Sequence, residues 1–102
     1  MSEAERKLLI DRISHHVLVN RIRVCDFFCD FDKLRSGLIS RPIFERGLKL
    51  IRIAVDKRQV SGLLEYYHDD KKPDMIKWRA FTDDVSLFLV YKRIHFKNLH
   101  FG

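Results

Sequence analysis

A chain of 102 residues, 46% of them apolar, can bury one core and is too short to enclose two, so one domain is expected. Eight Phe, three Tyr and one Trp beside a 33% share of charged residues exclude a disordered tail, and charges interrupt every apolar run before the roughly 20 residues that a spanning helix needs. Twenty Lys and Arg against 14 Asp and Glu leave a net charge of +6, which favours acidic partners without saying whether they are protein, nucleic acid or anionic lipid.

The opening MSEAERK is polar and acidic, the reverse of a secretory signal, so a cytoplasmic protein is expected. Ser2 and Glu5 stand at the capping-box spacing and predict a helix from Glu3. Leu8, Leu9, Ile13, Val17, Val24, Phe27, Phe28 and Phe31 then recur at threes and fours, which carries helical period to Phe31. Ser14 and Asn20 are weak helix formers, so a bend or break is expected between Ser14 and Arg21. Cys25 and Cys29 share one helical face, a poor geometry for a disulfide, and are expected as reduced core residues. A zinc site there would need two more ligands, and His15 or His16 would have to reach back about two helical turns to supply them.

DKLRSGLISRP holds a glycine suited to a left-handed turn and a short β-prone pair, Leu38 and Ile39. Ser40 can cap the next helix, with Pro42 in its first turn and Phe44, Leu48 and Ile51 as its buried stripe. Asp56 and Gln59 form a second capping pair, opening a helix whose apolar face is Val60, Leu63, Leu64 and Tyr67. HDDKKPDM breaks the pattern; Met75 and Ile76 give another β-prone pair, and Phe81, Val85, Phe88 and Leu89 stripe a last helix. The unit of helix, loop with a β pair, and helix therefore occurs twice.

That repeat resembles the EF-hand superfamily, as a calmodulin-like pair with degenerate calcium loops. With Ile39 at the eighth loop position, Asp32 is the first and Gly37 the sixth, and Phe31, Phe28 and Val24 stand at the expected places before the loop. The second loop fits from Asp69 by Ile76, Trp78 and Phe81, and from His68 by the helix before it. One inserted residue reconciles the two. The resemblance covers about residues 21–90 and implies an all-α fold: an EF-hand pair joined by a ladder through Ile39 and Ile76. Residues 1–20 would form an N-terminal helical extension and 91–102 a C-terminal tail.

Of the ligand positions, Leu34, Ser36 and Ile43 stand at the third, fifth and twelfth of the first loop. In the second, Lys71 replaces an oxygen ligand, Pro73 stands near the fifth position, Asp74 replaces the glycine, and Ala80 stands where the closing Glu belongs. A dication needs several oxygens around it and is repelled by lysine, so Asp32, Ser36 and Asp69 are vestiges and no metal or cofactor is expected. The resemblance implies an apolar groove for a protein partner, such as an amphipathic helix, with Phe28, Phe44, Leu48, Ile51, Leu64, Phe81, Val85 and Phe88 as its candidates. The amphipathic segment 3–20 would fill that groove, or pack against a partner or a second copy.

No phosphate-binding glycine loop or nucleophile constellation is present, so an enzyme is the least supported class. The expected function is a calcium-independent interaction or scaffolding module. FFCDFDKLRSGLIS looks like segments of large cytoskeletal and ciliary proteins, which suggests an acidic cytoskeletal surface as the partner. The alternatives are a weak calcium sensor and a basic module binding nucleic acid or anionic membrane. The tail YKRIHFKNLHFG mixes basic and aromatic residues as nucleic-acid binders do, but Val90, Ile94, Leu99 and Phe101 equally suit a continued helix or core cover.

Overall fold

The computed structural model describes residues 1–86. Helix α1 (Glu3–Asn20) is followed by α2 (Val24–Phe31), strand β1 (Leu38–Ser40), α3 (Arg41–Ile51), α4 (Lys57–Tyr67) and strand β2 (Met75–Lys77). A fifth helix, α5, begins at residue 78 and is described to residue 86. Among the described residues the fold is thus mostly helical, with one two-stranded antiparallel sheet in which Ile39 faces Ile76. Phe88, Leu89, Val90 and the whole segment 91–102 lie outside the described residues.

Helix starts follow local chemistry. Ser2 Oγ accepts from the Glu5 N–H at 3.1 Å, and Asp56 and Gln59 exchange both bonds of a capping box, at 2.7 and 3.0 Å. Ser40 holds the N-cap position of α3 in extended backbone, but its side chain makes no capping bond. Pro42 in the first turn presets the helical φ there instead. The break after α1 falls at Arg21, in left-handed conformation at φ 52°, with its N–H and that of Ile22 closing on Leu18 and Val17 carbonyls. Arg52 ends α3 in the same way at φ 61°. A side chain in that region strains the backbone by about 1 kcal/mol relative to glycine.

One core runs through all the helices, joining Ile10 and Ile13 of α1 to Phe28, Phe44, Leu48, Leu63, Ile76, Trp78 and Phe81. The rings of Phe28 and Phe44 stack at 5.5 Å, and Phe81 meets Phe44 edge-on at 5.0 Å. Gly47 sets how closely α2 and α3 approach, because a Cβ there would lie 2.4 Å from the buried Phe28 ring. Alanine favours a helix by about 1 kcal/mol over glycine, yet forcing a methyl into a packed core costs about 1–3 kcal/mol. Gly47→Ala is therefore expected to lower stability by up to about 2 kcal/mol in urea unfolding; a gain would show that α2 yields freely.

Several expected core positions face solvent. Leu8 is 71% and Phe31 44% exposed, since α1 buries the face of Leu9, Ile10, Ile13, Ser14 and Val17 and α2 turns Val24 and Phe28 inward. That rotation of α2 also exposes Cys25 and Cys29, correcting their expected burial. Partial shielding of its sulfur, with Cys29 and the Asp26 charge beside it, pushes the Cys25 thiol up, so it remains a protonated thiol at neutral pH.

Candidate functional site

The two connections meet at the sheet. The first spans residues 32–40, nine in number, and the second 68–77, ten. The second is thus one residue longer, and His68 bridges to Ile76 just outside the ladder. Gly37 takes φ 80°, a left-handed turn that glycine makes without strain.

Asp32 lies at the centre of this arrangement and is buried. Its Oδ1 accepts from the Ser36 N–H and hydroxyl, both at 3.0 Å. Its Oδ2 accepts from the Gly37 N–H at 2.6 Å and from the Trp78 indole N–H at 2.9 Å. Burial by itself raises the Asp32 carboxyl, but the bonds from Trp78, Gly37 and Ser36 outweigh it and hold the group below its usual range. Trp78 is buried beside Phe28, with ring centroids 6.1 Å apart, so the first connection is tied to the second through a hydrogen bond inside the core.

The second connection is closed by the protein's own groups as well. Asp69 Oδ2 accepts from the Lys71 and Lys72 N–H groups at 3.2 and 3.0 Å, which folds the carboxylate onto its own turn. The Pro73 carbonyl accepts two bonds from the Arg41 guanidinium at 3.2 and 3.1 Å, and the Arg41 N–H donates to the Asp74 carbonyl.

The EF-hand resemblance implies a calcium ion, and these residues do not fit one. A cation at Asp32 would have to displace four hydrogen-bond donors and would gain one carboxylate, with Leu34 and Ile43 supplying nothing. In the second loop the guanidinium of Arg41 lies against the Pro73 carbonyl and Lys71 stands at a ligand position. Among the described residues no group of three or more His, Cys, Asp or Glu is placed to hold a metal ion.

The groove candidates are placed together, but as core. Phe28, Phe44, Leu48, Ile51, Leu64, Phe81 and Val85 are all at most 7% exposed, so they do not line an open groove, one of the alternatives that the sequence left beside a groove filled by residues 3–20. Phe88 lies outside the described residues. The physical reason is that α1 joins the same core and is tied to the segments around it. Ser14, itself fully buried, donates to the Val85 carbonyl at 2.8 Å. Arg12 donates to the Ala54 carbonyl and His16 Nε2 to the Ile51 carbonyl, each at 2.7 Å. Arg6 stacks on the Tyr66 ring at 3.9 Å and lies 3.9 Å from Asp84, which accepts from the Tyr67 hydroxyl at 2.6 Å. Burial, then the bond to Asp84 and its charge, push the Tyr67 phenol far up, so it acts as a neutral donor.

Sequence reasoning missed the Asp32 to Trp78 bond and the Arg41 bracket. A signal for the first was present: continuing the ladder one step beyond Leu38 and Lys77 sets Trp78 opposite Gly37, beside the donors that Asp32 gathers. No protein-family model matches the chain, and no curated protein matches it. Among the described residues no helix is long and apolar enough to cross a membrane.

Proposed function

We propose that this protein is a calcium-independent interaction or scaffolding module, built as a degenerate EF-hand pair whose loops are closed by side chains and not by ions. The supporting observation is the Asp32 carboxylate, whose two oxygens accept four bonds from Ser36, Gly37 and Trp78. Paired loops normally transmit ion binding to the helices that flank them. Here the same connection is made permanently by an indole N–H, which favours one fixed state. A cytoskeletal or ciliary setting is proposed on the resemblance of FFCDFDKLRSGLIS alone.

Calorimetric titration with calcium to millimolar concentration is expected to give no saturable heat and no change in the unfolding midpoint. Saturable binding with a stabilised fold would instead support the weak-sensor alternative, because a ligand that prefers the native state must raise its stability.

A further inference from the structure

With Phe28, Phe44 and Phe81 buried in the core that α1 shares, an apolar surface that stays open among the described residues lies elsewhere. Leu48 of α3, Ile53 and Val55 of the connecting segment, and Val60 of α4 line a depression of about 480 Å³, with Glu45, Lys49, Lys57 and Ser61 at its edge. Leu48 forms the floor at 1% exposure, and Ile53, Val55 and Val60 are half-buried. The same stretch concentrates the protein's charge. Residues 41–58 contain six Lys and Arg (Arg41, Arg46, Lys49, Arg52, Lys57 and Arg58) against Glu45 and Asp56, which is +4 of the chain's +6. Arg41 is committed to Pro73 and Asp56 to its helix cap. Lys49 and Lys57 are exposed and join no ion pair among the described residues.

We infer that this depression docks an acidic amphipathic helix, whose aliphatic ridge would lie on Leu48, Ile53, Val55 and Val60 while carboxylates on its flanks meet Lys49 and Lys57. An apolar floor between two helices, with Lys49 and Lys57 outnumbering Glu45 at its edge, matches such a segment in both shape and sign. Nucleic acid fits less well, since single strands are held by stacking on exposed rings and among the described residues no aromatic residue lines this depression. A membrane surface is contacted by a protruding apolar face, and this one is recessed. The inference rests on the reading of the protein as an interaction module and supplies that module with a face and a class of partner.

The test uses the full chain and two labelled synthetic peptides of about 14 residues, roughly 21 Å as helices. Both carry leucines at helical spacing; one has glutamates and the other lysines on its flanks. Fluorescence anisotropy is expected to show binding of the acidic peptide and about tenfold or weaker binding of the basic one. The paired substitution Lys49→Glu and Lys57→Glu, at exposed positions that leave the helical circular dichroism unchanged, should reverse that preference. Equal binding of both peptides, indifference to the charge reversal, or displacement of the acidic peptide by short RNA or anionic vesicles through the same lysines would overturn the inference. Acidic-peptide binding that requires calcium would uphold the docking face and overturn calcium independence. Failure of both peptides to bind, with calcium calorimetry silent, would overturn the docking face and leave calcium independence standing.

Discussion

Replacing Asp32 with alanine is expected to destabilise the fold by roughly 3 kcal/mol or more, because a buried carboxylate that satisfies four donors is removed and the donors remain. The Trp78 indole N–H is the costliest of these, because it is buried beside Phe28 and a buried donor stripped of its acceptor keeps its desolvation cost. Asp32→Asn keeps the shape but turns an NH₂ group toward N–H or O–H donors, so it should cost nearly as much. Trp78→Phe removes one donor and part of the ring packing. The double-mutant cycle between Asp32→Asn and Trp78→Phe should return a coupling of about 1.5–3 kcal/mol, the range for a hydrogen bond to a charged group. A coupling near zero would mean that the two loops are joined without this bond, by the β ladder and the Arg41 bonds to Pro73 and Asp74.

The sign of the pH dependence follows from the same contacts. Asp32 is held below its usual range in the folded state, so its contribution is complete above the unfolded carboxylate value of about 3.9. It is lost as pH falls through the lower folded value. The stability gap between wild type and Asp32→Asn should therefore be constant near neutrality and close in acid.

The second large effect concerns α1. Ile13 is fully buried in the common core, between Arg12, which reaches Ala54, and Ser14, which reaches Val85. Ile13→Ala should cost about 2–5 kcal/mol, as for any buried isoleucine, a large share of the roughly 5–15 kcal/mol that holds a typical domain folded. Leu8→Ala on the same helix, at 71% exposure, should change stability by less than about 0.5 kcal/mol. Urea unfolding of the two variants separates an integral first helix from an appended one. Similar small effects at both positions would mean that α1 detaches without disturbing the core.

Local signals in the chain were strong where one residue type has one physical use. Ser2, the pair Asp56 and Gln59, and Pro42 mark helix starts because they satisfy or dispense with orphan amides, and the structure begins α1, α4 and α3 there. The pairing of Ile39 with Ile76 follows from two β-prone pairs at equivalent places in a repeat. Other features had no local signal. Arg21 and Arg52 end helices in a conformation that glycine usually takes, so nothing in their chemistry announces the turn. The period of α2 admitted more than one rotation, and the observed one exposes Phe31 and both cysteines. Most consequentially, an apolar stripe says that a face is covered but not by what. The stripe on α1 suited filling the aromatic groove as well as meeting a partner or a second copy, and in the fold it joins one core with the aromatic residues of the later helices. The open depression beside Val55 and Val60 was hidden for the converse reason, since its aliphatic residues are few and come from three separate segments.

The chain contains one tryptophan, so its indole N–H gives a single, unambiguous proton resonance that reports directly on the bond to Asp32. Followed by nuclear magnetic resonance, that proton should exchange slowly with solvent, stay unmoved as calcium is raised to millimolar concentration, and shift only in the acid range where Asp32 takes up its proton. Rapid exchange at neutral pH, or a saturable shift on adding calcium, would contradict the account of loops held closed by the protein's own donors.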